Sequence, residues 1–375
     1  MNDAKKAETG KHGQKREPLI HITKRTGVPI WKSIMIRAIA IVAALIVCGI
    51  LTMLFTGDNP LSIYASFFFG AFGDPHRIWV TMQNLVILLG IALAVTPAFR
   101  MKFWNTGAEG QVLAGGLATA MCMFWLGGKI PDWLLIIVML LSGVAAGMLW
   151  GVLPAICKAK WNTNETLFTL MMNYVAIQLI EWFLKVADKS GSNTVGPTVL
   201  KYGWLPDLFG QKYLFNIIVV AALTVFIYIY LKYSKHGYEI SVVGESENTA
   251  RYIGINVPKV IIRTMALSGA ICGLMGFLLV GVTSHSISTN IAGGRGFTAI
   301  MVSWLAHFNP IFMVLTSLLL VFLGRGAEEV STKFGLNLSF SDIITGIILF
   351  FIIGCEFFIR YKVNFRSRRN GKENA

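Results

Sequence analysis

Few polar residues sit inside the long apolar runs of this chain, and each of them needs a physical reason to be there. The densest group is Asn105-Thr-Gly-Ala-Glu-Gly-Gln111, which puts Asn105, Glu109 and Gln111 beside Gly107 and Gly110 between two apolar stretches. Glycine lets a helix break, and a broken helix turns backbone dipoles toward a cavity. The chemistry on offer is reversible hydrogen bonding of a polar solute in transit. A second reading is a polar cytoplasmic turn in which Glu109 pairs with Arg100 or Lys102.

A second group runs Asn162-Thr-Asn-Glu-Thr-Leu-Phe-Thr-Leu-Met-Met-Asn173. Asn164 or Thr163 suits an N-cap, and Glu165 in the first turn suits the helix dipole. At helical spacing Glu165, Thr169, Met172, Asn173 and Ala176 share one side. A stripe that is polar at its foot and small above fits a water-filled path. It fits helix–helix hydrogen bonding equally well. A third group, Ser241 to Asn256, is too polar to cross a bilayer. Gly244 reads as a turn. Glu245, Glu247 or Asn248 opens a short helix through Arg251, with Ala250, Tyr252, Ile253 and Ile255 as apolar teeth, and Gly254 ends it. Such a helix between two spans is a docking knob. A fourth group, Gly293-Gly-Arg-Gly-Phe-Thr-Ala-Ile300, breaks one helix and starts a half-helix whose positive N-terminus can face a ligand or pack tightly.

The elements that position these groups follow from composition. Hydrophobic residues make up 55% of 375 residues and charged residues 14%, against roughly 25% charge in a soluble domain. The solvent for most of the chain is lipid. The fold class is an all-α polytopic membrane protein. Windows of about 20 apolar residues fall near 34–56, 78–99, 133–157, 167–186, 214–231, 264–283 and 343–359, with shorter or glycine-interrupted ones at 111–126, 296–307 and 311–324. That is about ten transmembrane helices, with eight as the lower bound, some broken or re-entrant. The stretch 61–72 is too short to cross.

Lys and Arg outnumber Asp and Glu by 33 to 19. The excess sits at span ends, so topology explains it better than nucleic acid does. An N-in, C-in arrangement puts 24 of the 33 basic residues inside, as the positive-inside rule requires. The chain then divides into a basic, unstructured cytoplasmic tail (residues 1–33), a transmembrane domain (34–360) with a long cytoplasmic loop at about 233–262, and a second basic tail (361–375). The tails can rest on anionic membrane lipid. Five cysteines in apolar stretches read as small core residues. Neither a phosphate loop, an H-E-x-x-H pair nor clustered aspartates are present, so no ATP hydrolysis, metal or cofactor chemistry is expected of this chain.

Four ordered blocks resemble the membrane permeases of ATP-binding-cassette importers, nearest to nucleoside permeases that work with basic-membrane-protein-type lipoproteins. Phe103-Trp-Asn-Thr-Gly-Ala-Glu-Gly-Gln111 is similar to the family's F-N-I-G-A-E-G-Q. Asn164-Glu-Thr-Leu-Phe-Thr-Leu-Met-Met-Asn-Tyr-Val-Ala176 is similar to its N-E-x-x-x-T-L-M-x-N-Y-x-A. Gly244 to Ile255 resembles its coupling loop, and Gly296 to Pro310 its last shared block. The departures are Trp104 before Asn105, Glu245-Ser-Glu247 in place of an asparagine-containing turn, and Thr249 in place of an alanine.

The resemblance implies a half-pore in a bacterial cell membrane. A cytoplasmic ATPase dimer would bind Gly244, Glu245, Asn248, Ala250, Arg251, Gly254 and Ile255. A second permease, with the branch leaning to a different chain, would complete the path. An extracytoplasmic lipoprotein would deliver a nucleoside. Asn105, Glu109, Gln111, Glu165, Thr169 and Asn173 are the candidate path residues. A sugar importer of the same superfamily and an ion-coupled secondary transporter are the alternatives.

Overall fold

The computed structural model describes residues 20–25, 29–57, 59–188 and 192–365. The helices in chain order are α1 (Ile30–Thr56), α2 (Pro60–Phe72), α3 (Pro75–Arg100), α4 (Ala108–Leu126), α5 (Asp132–Trp161), α6 (Glu165–Ala187), α7 (Leu214–Tyr233), α8 (Lys235–Glu245), α9 (Glu247–Tyr252), α10 (Val257–Leu278), α11 (Arg295–Leu305), α12 (Pro310–Lys333) and α13 (Leu338–Arg360). Four short strands accompany them: β1 (Ile20–Lys24), β2 (Thr194–Val195), β3 (Ile287–Ser288) and β4 (Tyr361–Phe365). Eight helices are long and apolar enough to span a membrane. The other two of the ten expected spans correspond to α4 and α11. At about 1.5 Å per residue, the 11 residues of α11 cover roughly half of a 30 Å hydrocarbon core. It is a half-helix, as the glycine cluster before it implies.

The chain forms two compact units, Met1–Ile63 with Asp342–Ala375, and Tyr64–Ser341. In the first, α1 and α13 are tied by an Arg37–Glu356 ion pair and by the Cys48 thiol donating to the Ile344 carbonyl. Strand β1 pairs antiparallel with β4, Ile20 opposite Phe365 and Lys24 opposite Tyr361. Both strands lie in stretches that the sequence reads as cytoplasmic tails. Their order arises from a two-residue alternation, Ile-His-Ile-Thr-Lys and Tyr-Lys-Val-Asn-Phe.

In the second unit α3 and α10 are the most deeply buried of the long apolar spans, and the shorter α4 is buried along most of its length as well. α5 packs on α10 through small residues: Gly143, Gly147 and Gly151 recur every four positions and meet Gly269 and Gly273. A Cβ on Gly147 would stand 2.6 Å from the Gly273 Cα, so only glycine permits this backbone approach. α10 runs on into a π-helical turn, Leu279–Ser284. There Gln83 of α3 donates to the Thr283 hydroxyl at 2.6 Å, and Asn216 of α7 donates to both, pinning three elements with buried polar groups. α5, α6 and α7 leave long apolar faces uncovered.

Candidate functional site

The turn from α3 to α4 carries the first candidate block. Asn105 is fully buried. Its amide donates to Ser268 of α10 at 3.2 Å and accepts from Gln111 at 3.2 Å, and its oxygen also takes the Gly107 N–H at 3.1 Å. Asn173 of α6 accepts the Gly110 N–H at 2.8 Å and donates to the Thr106 carbonyl at 3.0 Å. The Thr169 hydroxyl, one turn away, accepts the Thr106 N–H at 3.2 Å and bonds the Thr106 hydroxyl at 3.0 Å. The side of α6 that carries Thr169, Asn173 and Ala176 is therefore the side packed on α4.

Glu109 does not pair with Arg100 or Lys102. Its carboxylate accepts the Gly294 N–H at 2.8 Å and the Gly296 N–H at 2.6 Å. Those amides are orphan donors at the start of α11, where the helix dipole favours negative charge. Gly294 sits at φ 71 to begin the turn. A Cβ on Gly296 would come within 2.8 Å of the Glu109 carboxylate. Arg295, between the two glycines, donates to the side-chain amide oxygen of Asn84 on α3 at 2.7 Å. The sequence leaves open that Arg295 is an external loop charge; here it is partly buried between α11 and α3. Asn105, Glu109, Gln111, Thr169 and Asn173 thus form one buried clasp that binds α4, α6, α10 and the half-helix together. Glu165 stands apart, at the foot of α6, paired with Lys158 of α5 at 2.9 Å, while Asn164 caps the helix through the Leu167 N–H.

The second candidate region is the loop from α7 to α10. Ser234 caps α8, Ser246 caps α9 and Asn256 caps α10. Gly244 is not a turn. It lies in the last turn of α8, in contact with the Arg100–Met101 backbone, where a side chain would not fit. Gly254, at φ 85, ends α9, and the Ile255 N–H returns to the Ala250 carbonyl at 2.9 Å. Ala250 is buried and anchors α9. Glu245, Asn248 and Arg251 are exposed, and Tyr252, 92% exposed, projects with Ile253. Glu239 of α8 is held at 2.7 Å by Arg263 of α10, and that hydrogen bond keeps its carboxyl below the usual carboxylate range. The arrangement is a rigid knob whose aromatic tip faces outward. At the other end of the bundle, His285 stacks on Trp204 with 4.3 Å between ring centroids.

Residues 78–353 match the family described as branched-chain amino acid transport system / permease component. The chain belongs to that family. It is a permease of the ATP-binding-cassette importer class and a multi-pass protein of the cytoplasmic membrane. It is 30% identical to the guanosine ABC transporter permease protein NupP of Bacillus subtilis, over 85% of this chain and 92% of that one. It is 27% identical to the glucose ABC transporter permease protein TsgB13 of Haloferax volcanii, over 94% and 96%. It is 28% identical to the nucleoside ABC transporter permease protein NupB of Lactococcus lactis, over 86% and 91%. A second guanosine permease of Bacillus subtilis, NupQ, also matches, at 24% over 62% of this chain and 75% of that one.

The sequence reading missed the opposite face of α6. Leu167, Met171, Tyr174, Gln178 and Trp182 recur at helical spacing there and are exposed. Gln178, an amide in the middle of a span, is the signal that could have found it.

Proposed function

We propose that this permease imports nucleosides, as one half of a path completed by a second, different permease. The observation that carries the substrate is the match to NupP over nearly the whole of both chains. Guanosine or nucleoside permeases account for three of the four relatives described above, and glucose for one. The heteromeric pore is supported by the two distinct guanosine permeases of Bacillus subtilis that match this one chain. ATP hydrolysis belongs to partner subunits. They dock on the α8–α9 knob, where buried Ala250 fixes the helix, and Tyr252, Asn248 and Arg251 offer the contact surface. ATP-driven closure of those subunits then shifts the bundle between inward- and outward-facing states. An extracytoplasmic lipoprotein delivers the solute.

Within this reading the buried clasp sets the geometry of the path by fixing α11 and the start of α4. Mild-detergent purification of the tagged chain, with mass spectrometry of co-eluting proteins, tests the assembly. An ATPase with a phosphate loop, a second permease and a lipoprotein are expected. Recovery of this chain alone, with gradient-driven uptake intact, would overturn it.

A further inference from the structure

Beyond the clasp, the uncovered face of α6 is chemically uneven. Near its cytoplasmic end it is apolar, with Leu167, Met171 and Val175 around a cavity of about 340 Å³. Half-way along stands Gln178, exposed and without a hydrogen bond among the described residues. An amide at that depth is costly against lipid. Tyr174 and Trp182, both more than half exposed, flank it on the same face. At the outer end a second cavity, of about 360 Å³, is lined by Glu181, Lys185, Asp188, Ser192, Asn193 and Thr289. Glu181 and Lys185 are four residues apart and make no ion pair among the described residues. Ionisable groups with no partner among the described residues, opening into a polar cavity on the same face as an amide at membrane depth, point to a functional surface rather than a lipid-facing one.

We infer that this face of α6 lines the path, and that the outer cavity is the subsite which first receives the solute, reading a neutral sugar ring through Glu181. The inference rests on the import function proposed above and names the part of the solute that is recognised. A carboxylate accepts two hydrogen bonds from a vicinal pair of hydroxyls, as acidic residues do with ribose elsewhere. Lys185 and Asn193 supply donors for ring and hydroxyl oxygens. Trp182, then Tyr174, offer aromatic faces on which a base can stack as it descends. Gln178 hydrogen-bonds the solute between them.

Two measurements on the complete importer in its own membranes test this. First, Gln178→Cys and Trp182→Cys are treated in whole cells with a membrane-impermeant methanethiosulfonate, with and without excess uridine. Both are expected to react, and uridine to slow the reaction. Leu149→Cys, on the exposed apolar face of α5, is expected to stay inert. Gln178→Cys as inert as Leu149→Cys would place this face against lipid and overturn the path. Second, Glu181→Gln is compared with the parent for uptake of uridine and of 2′,3′-dideoxyuridine. Loss of a charged hydrogen-bond acceptor is expected to raise the half-saturation concentration for uridine at least roughly 10-fold, and to leave the dideoxy analogue unchanged. Equal effects on both would overturn the hydroxyl assignment. A parent that takes up glucose but no nucleoside would refute the proposed substrate and, with it, the ribosyl assignment. The cysteine experiment, with glucose as protectant, would still decide the path.

Discussion

Glu109 separates two roles that look alike in the sequence. Its carboxylate accepts N–H groups from Gly294 and Gly296 at 2.8 and 2.6 Å, inside a bundle where water does not replace them. Each charge-assisted bond is worth about 1.5–3 kcal/mol. Glu109→Ala removes both and leaves two amides without an acceptor, a loss of about 3–6 kcal/mol against a total stability of roughly 5–15 kcal/mol. Glu109→Gln keeps one acceptor oxygen and is expected to lose about half as much. The assay is thermal unfolding of the detergent-solubilised complex by fluorescence-detected size-exclusion chromatography, with hydrogen–deuterium exchange of residues 294–297. The expected order of stability is parent, Gln, Ala, with exchange at Gly294 and Gly296 accelerated in the same order. An Ala variant that melts with the parent and keeps both amides protected, but has a raised half-saturation concentration for uptake, would refute the clasp. Glu109 would then be a solute contact.

Three further outcomes follow from the packing. Gly254→Pro removes the N–H that bonds the Arg251 carbonyl and the positive φ that ends α9. It is expected to cut uptake at least roughly 10-fold, with nucleoside binding by the receptor lipoprotein unchanged. Unchanged uptake would show that the knob does not couple. Gly273→Leu places a side chain against the backbone of Gly143 and Gly147 and is expected to abolish membrane accumulation, read by immunoblot. Normal accumulation would contradict the α5–α10 packing. Arg263 lowers the Glu239 carboxyl below its unfolded value. Its stabilising contribution is therefore present above the ordinary carboxylate pKa, near 4.3, and lost as pH falls through the lowered one. Melting of the parent is expected to be flat from pH 7 to 5 for this group and to fall only in more acid buffer. In Glu239→Gln that acid step should shrink, and an identical acid step would count against the pairing.

The long apolar runs made the spans legible, because lipid imposes a length and an apolar composition on each of them. The half-helix was legible too, since Gly293 and Gly294 announce the break. The sites were less so. Thr169 and Asn173 share a face with Glu165, but helical periodicity identifies a stripe without saying whether it meets a path or a neighbouring helix. Here it meets α4. Glu109 has a partner 185 residues away, a distance no local pattern spans. Gly244 looks like a turn because glycine often is one. Its reason is instead the carbonyl of Arg100, a tertiary contact. The four-residue recurrence Gly143, Gly147, Gly151 was readable as a close-packing stripe, and so was Gln178 as a polar residue on an otherwise apolar face.

ATP-dependent nucleoside uptake by the purified complex in proteoliposomes tests the central claim most directly. The complex is reconstituted with its receptor lipoprotein and radiolabelled guanosine outside, ATP inside, and no ion or proton gradient. Accumulation that requires ATP, and is lost in the Gly254→Pro complex, is the expected result. Uptake that ignores ATP and follows an imposed proton or sodium gradient would contradict it.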